Sequence, residues 1–306
     1  MTRRWRKHGR VYVPDARRPH PKLRSHAANP LPVHLEGDVY RVFYSGRDQH
    51  NRSSVGAVDI SVSTGRVEAE HAEPVFEHGP AGSFFADGVS IANCYTVGQT
   101  RYMLFMGWQA PADAHWRGDI GRLCLDADLG LRLDSDAPLL GVDPVDPISL
   151  SYPWVLPRPG GGYDMWYGST RSWDAGNGEM LHTLHHAHSK DGHHWTRTGL
   201  AVPYTLGTAQ AFSRPTVVPG ESGGLDMWFS YRSGAGEAYR IGYAHSADGT
   251  HWVLALDEAG ITVSDSGWDA EMVAYPYVFD HGDTRLMLYN GNGYGKSGFG
   301  LAVLDD

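Results

Sequence analysis

The sequence predicts an all-β fold made of repeated units, and two observations support this prediction. The 306-residue chain is rich in turn and strand formers, with 38 glycines, 16 tyrosines and 10 tryptophans, and it lacks long amphipathic helical patterns. Five stretches share one apolar-alternating pattern: YRVFYS (40–45), RYMLFMG (101–107), YDMWYG (163–168), LDMWFS (225–230) and RLMLYN (285–290). Their last residues follow one another at intervals of 62, 61, 62 and 60 residues. Spacing this even over the whole chain indicates a structural repeat.

Each unit has the same order of elements. A first strand begins near a proline, as in NPLPVHL, SYPWVLP, SRPTVVP and AYPYVFD, and a short turn joins it to the shared stretch, which predicts a hairpin. A third strand follows, as in SVGAVDI, DIGRLCL and YRIGYAHS. In units three and four a recurring heptapeptide comes next, SKDGHHW (189–195) and SADGTHW (246–252). Its Asp-Gly pair makes a turn and its tryptophan begins an outer strand, so we predict that the heptapeptide is scaffold.

Five units of four strands predict a five-bladed β-propeller that occupies residues 1–306 as a single domain. The last unit ends at GLAVLDD and has no fourth strand of its own. The segment HGRVYVP (8–14) is the remaining strand-like piece of the chain. We therefore predict that this N-terminal strand closes the ring, and that the basic leader at residues 1–25 has a structural role.

Charge and composition exclude several classes of protein. Residues 1–25 carry nine Lys or Arg against Asp15, whereas the whole chain has a formal charge of -9. No zinc-finger or helix-turn-helix pattern accompanies this arm, so we predict no nucleic-acid partner. No apolar run approaches the length of a membrane helix or a signal core, and only Cys94 and Cys124 could form a disulfide. These features predict a cytoplasmic protein without a membrane partner, and they leave its oligomeric state open.

Cofactor and metal motifs are also missing. The sequence has no Walker pattern, and no Gly-x-Ser-x-Gly precedes a helix. His182, His186 and His188 share one face of a predicted strand, but alternate strand residues lie about 7 Å apart, too far to chelate one ion without help from another strand. The prediction is therefore no cofactor and no metal.

Polar residues gather where the first strands begin and the second strands end, and ligands of propellers usually bind at one mouth of the axial cavity. The first set is His26, Asn29, Asp87, Asp146, Tyr152, Arg214, Glu271 and Tyr275. The second set is Arg47, Asp48, Trp108, Arg171, Arg232, Asn290 and Asn292. Carboxylates, arginines and aromatic rings together favour a carbohydrate pocket. Asp87 and Glu271 are the first candidate pair for acid and base, with Asp146 as the alternate.

Several stretches of the chain carry a family resemblance: FYSGRDQHNRSSVGAVDI (43–60), GSFFADGVS (82–90), SRPTVV (213–218), YRIGYAHSADGTHW (239–252) and the segment 264–304. Through them the chain resembles the glycosidase-like five-bladed propellers related to arabinanases, invertases and mannoside phosphorylases, and most closely a largely uncharacterised group within them. The resemblance implies an acidic base on the first blade, a second acid on the next and a catalytic acid on the third. Asp87 matches the second position and Asp146 lies near the third. However, SHAANP (25–30) offers no carboxylate at the first, and Glu271 has no counterpart in that plan.

The leading interpretation is a carbohydrate-active enzyme that hydrolyses or transfers a glycosidic bond of a small sugar conjugate. In this hypothesis Asp87 and Glu271 act as acid, base or nucleophile, and Arg214 and Arg232 hold an anionic or hydroxyl-rich part. Tyr152, Trp108 and Tyr275 form the walls. Two alternatives stay open: a non-catalytic sugar-binding propeller, and an enzyme that uses the same cavity, with Arg214 as an anion clamp, on a non-sugar metabolite.

Overall fold

A computed structural model describes residues 3–15, 20–221, 223–234 and 236–305. These residues form twenty strands and one short 3-10 helix, Leu256–Glu258. Among them, no helix is long and apolar enough to cross a membrane. The prediction of an all-β chain is therefore confirmed.

The strands fall into five antiparallel groups of four, and each group is a consecutive part of the chain except the last. Group 1 contains β2 (Ser25–Glu36), β3 (Val39–Arg47), β4 (Ser53–Ser61) and β5 (Arg66–Phe76). Group 2 contains β6 (Gly88–Val97), β7 (Thr100–Gln109), β8 (Arg117–Leu125) and β9 (Leu131–Leu133). Group 3 contains β10 (Ser149–Pro157), β11 (Tyr163–Ser172), β12 (Leu181–Ser189) and β13 (Thr196–Leu200). Group 4 contains β14 (Ala211–Pro219), β15 (Leu225–Arg232), β16 (Arg240–Ser246) and β17 (Trp252–Leu254).

Group 5 takes strands from both ends of the chain. It contains β18 (Ala274–His281), β19 (Thr284–Asn290), β20 (Phe299–Asp305) and, beside β20, the N-terminal strand β1 (Arg4–Tyr12). The sequence predicted this strand at 8–14, but it begins at Arg4 because Trp5 is buried and pairs with Leu304. Residues 1, 2 and 16–19 of the basic leader lie outside the described residues.

A bulge interrupts the first strand of every group. In four groups it lies at a residue before proline with a left-handed backbone: Asn29 (φ 56), Tyr152 (φ 26), Arg214 (φ 48) and Tyr275 (φ 53). In β6 the bulge lies between Ile91 and Cys94 without a proline. Left-handed backbone is costly for such large side chains and is often found at functional sites. A bulge also changes the face to which the following side chains point.

Side chains near the end of the second strand of groups 1, 4 and 5 join neighbouring groups at these bulges. Ser45 Oγ accepts a hydrogen bond from the Ile91 N–H (3.2 Å), and Ser230 Oγ accepts one from the Tyr275 N–H (2.7 Å). Asn290 Oδ1 accepts one from the Asn29 N–H (2.8 Å), which connects group 5 to group 1. We call these three contacts latches. Each one fixes a group against the next and gives a partner to a buried backbone N–H that would otherwise lack one.

The two heptapeptides make equivalent turns. Ser189 and Ser246 accept hydrogen bonds from the N–H groups of Gly192 and Gly249, which have left-handed φ values of 74° and 78°. Each turn then docks on the preceding group: Gly192 O accepts from the Tyr95 hydroxyl (2.9 Å), and Gly249 O accepts from Trp166 Nε1 (2.8 Å). These contacts agree with the predicted scaffold role.

Candidate functional site

One cavity of about 410 Å³ is lined by residues from all five groups. Its lining consists of Arg47, Asn51, Ser90, Met106, Trp108, Ala110, Trp116, Ser151, Tyr152, Met180, His182, Ser213, Arg232, Tyr239, Tyr275 and Tyr294. The cavity therefore lies where the groups converge beside the first-strand bulges, and we call it the aromatic cavity. Its volume suits a small organic ligand.

Six aromatic side chains dominate the walls. The rings of Tyr152 and Tyr275 lie 5.6 Å apart, and those of Tyr239 and Tyr294 meet edge to face at 6.0 Å. Burial raises the pKa of Tyr239 to about 12 and raises that of Tyr275 well above the usual value of 10. Both hydroxyls are therefore neutral hydrogen-bonding groups. Aromatic faces with neutral hydroxyls can stack on a sugar ring and bond its hydroxyls.

Two arginines bring positive charge into the lining. Arg47 donates to the side-chain amide oxygen of Asn51 (2.6 Å) and makes no ion pair among the described residues. Arg232 donates to the Glu179 carboxylate (2.8 Å) and lies over the ring of Tyr239 at 4.9 Å. The Nε of Arg232 is buried without a partner in the described part of the chain. Arg47 can therefore bind an acceptor on a ligand, and Arg232 adds positive charge to the lining.

A third arginine lies outside the lining and supports it. Arg214, 1% exposed, donates to the carbonyl oxygens of Tyr275 (2.6 Å) and Pro30 (2.8 Å). It thereby braces the bulges of groups 5 and 1. Burial lowers the pKa of Arg214 to about 10, so its guanidinium is still protonated at neutral pH. This charge has no carboxylate partner among the described residues, which adds to the positive potential near the cavity.

Histidines near the cavity are neutral. His182 is buried in the lining, and burial, with smaller contributions from His185 and Arg232, lowers its pKa to about 3. Burial, together with Arg47 and Lys296, lowers the pKa of His26 to about 4. His26 itself lies outside the lining. Among the described residues, no group of three His, Cys, Asp or Glu is placed to hold a metal ion.

The three predicted catalytic carboxylates do not come together. Asp87 accepts a hydrogen bond from the N–H of Ala110 (2.8 Å) and lines a second cavity, of about 330 Å³, with Arg52 and Gln109. Glu271 is exposed in the loop before β18, where its own N–H donates to Asn292 (2.9 Å). Of the residues that line the aromatic cavity in the described structure, none is Asp or Glu.

Asp146 is fully buried in group 3, and its carboxylate is already saturated. It accepts hydrogen bonds from the hydroxyls of Tyr167 (2.7 Å) and Ser169 (2.6 Å) and from Arg197, and His185 Nδ1 lies 2.8 Å away. Although burial alone would raise its pKa, these partners hold the pKa of Asp146 well below its usual range. Its carboxylate is therefore an ionised structural group.

The other candidates divide between the cavity and the framework. Arg47, Trp108, Tyr152, Arg232 and Tyr275 line the cavity. Asn29, Asp48, Arg171, Asn290 and Asn292 instead have partners in the framework: Asn29 and Asn290 form the latch between groups 5 and 1, Asp48 and Asn292 accept from backbone N–H groups of loops, and Arg171 donates to Val145 O.

Sequence reasoning missed part of the lining, notably Ser151, Ser213, Trp116, Tyr239 and Tyr294, and considered His182 only as a metal ligand. One signal could have found two of them. Ser151 and Ser213 each stand directly before the residue that precedes a proline, at the edge of the bulge.

The arrangement of the fold is that of the glycosidase-like propellers. The protein is similar to the structure of a BT0996 RGII complex (TM-score 0.76, 13% identity, 98% of this protein and 91% of that one). It is also similar to a structure from the GH130 family of mannoside phosphorylases (TM-score 0.71, 13% identity, 99% and 94%) and to a thermostable family-43 glycoside hydrolase (TM-score 0.66, 15% identity, 92% and 88%). The resemblance to this superfamily is thus confirmed, and at such low identity it establishes the fold alone.

Two proteins of Mycobacterium tuberculosis are much nearer in sequence. MT1551 of strain CDC 1551 and Rv1502 of strain H37Rv are each 41% identical over 304 residues, 99% of this chain and 99% of theirs. The chain belongs to the family of these two proteins, both of them uncharacterised. No protein-family model matches the chain.

Proposed function

We propose that the chain is a single-domain, five-bladed β-propeller, closed by β1, that binds a small carbohydrate with an anionic group in the aromatic cavity. One observation carries the proposal: six aromatic residues and two arginines line a cavity whose described lining contains no carboxylate. Stacking on aromatic faces suits a sugar ring, and an arginine without an ion pair suits a carboxylate or phosphate. The structural neighbours include glycoside hydrolases and a protein in an RGII complex. These activities belong to the neighbours, and they support a carbohydrate ligand here by analogy of fold.

Electrostatics favour an anionic rather than a neutral sugar. The chain is acidic overall, with a formal charge of -9, yet Arg47 lines the cavity and Arg214 lies buried beside it, neither with an ion pair among the described residues. Arg232 is partly neutralised by Glu179. A ligand anion therefore gains more at the Arg47 side of the cavity, because that charge is not already compensated.

Glycoside cleavage by the usual mechanism needs two carboxyl groups on either side of the bond, about 5 to 9.5 Å apart. Asp87 and Glu271 lie outside the lining and Asp146 is saturated, so we assign none of them a role in binding. The side chains proposed to contact the ligand are Arg47, Trp108, Tyr152, Arg232 and Tyr275.

The experiment is a binding screen of monosaccharides, uronic acids, sugar phosphates and nucleotide sugars by thermal shift, followed by calorimetry on the ligands that stabilise the protein. Arg47→Met removes the charge but keeps the side-chain length, and we expect it to weaken binding about 10- to 150-fold, as one lost charge-assisted hydrogen bond predicts. Arg47→Lys should retain part of the affinity.

Asp87→Asn and Glu271→Gln are the matched controls, and both should bind as the wild type does. Binding of neutral sugars alone, with Arg47→Met unaffected, would refute the anionic part of the proposal. If the wild type cleaves a glycoside and either carboxylate variant does not, the substituted carboxylate would be shown to take part in catalysis.

A further inference from the structure

A serine and a histidine form a close pair in the wall of the aromatic cavity. Ser151 on β10 and His182 on β12 both line it, and the Ser151 Oγ lies 2.6 Å from Nε2 of His182. The other ring nitrogen, Nδ1, lies 2.7 Å from the hydroxyl of Thr170 on β11. All three side chains are buried. This is the arrangement of a nucleophile, a base and a third group that orients the base.

The proton positions suit removal of the serine proton. His182 is neutral, so its ring carries one N–H and one lone pair. When Nδ1–H donates to Thr170 Oγ1, the lone pair of Nε2 accepts the hydrogen of the Ser151 hydroxyl. The base and the hydroxyl are then within the distance that proton transfer requires.

Only group 3 has this pair among the described residues. Ser213 occupies the equivalent place in β14, and Ser90 lies in the same wall, but neither has a histidine partner in the described part of the chain. Gly168 stands where groups 1, 4 and 5 carry a latch side chain, and group 2 also has a glycine there, Gly107, but no histidine beside it. A Cβ at Gly168 would collide with both Ser151 Oγ and His182 Nε2. In group 3, the glycine therefore leaves room for the pair at the place of the latch.

We infer that Ser151 is a nucleophile for which His182 is the base and Thr170 a positioning residue, and that the cavity cleaves a carboxylic ester of a hydroxyl-rich compound. Ser151 Oγ bonds to the acyl carbon while its proton moves to His182 Nε2. The bond from the acyl carbon to the alcohol oxygen then breaks, and the imidazolium returns the proton to that oxygen. Water repeats both steps on the acyl-serine, which releases the carboxylic acid and restores Ser151.

Arg232 provides positive charge for the oxygen that becomes negative in this step. It lines the same cavity, and its positive charge favours a negative oxygen there. An anionic ligand would also offset the charge of Arg232 that disfavours a protonated His182. The inference rests on the proposed function for the site of the ligand and for its hydroxyl-rich nature.

The test is covalent labelling of the full chain with a fluorophosphonate probe, followed by peptide mass spectrometry. We expect the label on Ser151, its loss in Ser151→Ala and His182→Gln, and normal labelling in the matched control Ser213→Ala. Thr170→Val should slow labelling at least tenfold and Thr170→Ser should restore it, an effect that a merely structural threonine would not give. Gly168→Ala keeps all three side chains and should also abolish labelling. Thermal melts verify that each variant is folded.

Absence of labelling, or equal labelling of Ser90 and Ser213, would overturn the inference. The sugar screen separates the two proposals, because Ser151→Ala should still bind the ligand. Sugar binding without labelling of Ser151 would support the proposed function and refute the ester cleavage. Labelling of Ser151 without any sugar binding would support the role of Ser151 as a nucleophile and refute the carbohydrate ligand.

Discussion

Substitution of Trp5 by alanine tests whether the N-terminal strand closes the fold. Trp5 is 4% exposed in β1, and its ring meets that of Trp228 in group 4 edge to face at 5.5 Å. The backbone N–H of Trp5 also donates to the carbonyl oxygen of Gly260 (2.9 Å) in the loop after group 4. The strand thus joins group 5 to group 4. Removal of a buried tryptophan side chain costs about 3–5 kcal/mol of unfolding free energy.

Thermal unfolding followed by calorimetry measures this loss. For a chain of 306 residues the entropy of unfolding is about 0.6 kcal/mol per kelvin, so Trp5→Ala should lower the Tm by about 5–8 °C. The control is Arg4→Ala in the same strand, whose side chain is 83% exposed and 4.0 Å from Asp305, and which should change the Tm by less than about 1 °C. A Tm of Trp5→Ala within a degree of wild type would refute the closing role of β1.

Two further predictions concern the framework of group 3. Asp146→Asn should cost about 3–5 kcal/mol at pH 7, because it breaks a buried ionised network. The pKa of Asp146 is depressed in the folded protein, so its contribution to the unfolding free energy is present above the unfolded pKa of about 3.9 and is lost as the pH falls below that value. The unfolding free energies of wild type and variant should therefore converge towards pH 2. A difference that stays constant with pH would contradict this. Gly192→Ala should destabilise by about 1–3 kcal/mol more than Gly199→Ala in denaturant titrations: both glycines have a left-handed φ, but only at Gly192 would a Cβ press on Val97 and Tyr163. Equal losses at the two glycines would show that backbone strain alone decides.

Local patterns of the sequence were enough to predict the strands and turns. The alternation in YDMWYG gives a strand, and the Asp-Gly turn of SADGTHW follows from the left-handed backbone that Gly249 accepts. The missing fourth strand of the last unit also pointed to the N-terminus, where β1 pairs with β20. These features depend on neighbours in the chain or on the count of repeated elements.

Which residues line the cavity depends on contacts between distant parts of the chain, and no local sequence pattern predicts these contacts. Asn290 looked like a ligand-binding residue, but its amide accepts the N–H of Asn29, 261 residues away, and it holds two groups together. Asp146 looked like a catalytic acid, yet Tyr167, Ser169 and Arg197 saturate it. A carboxylate in a sequence does not show how many donors will surround it after folding.

The sequence by itself determined the repeat, the class of fold and the approximate edge at which polar side chains gather, because hydrophobic alternation and turn residues act over a few positions. Only the tertiary structure decided which of those side chains enter the cavity. Bulges in the first strands change the face of the following residues, and the close approach of β10, β11 and β12 at Gly168 places Ser151 beside His182. Strand register and the packing of side chains from distant parts of the chain determine both.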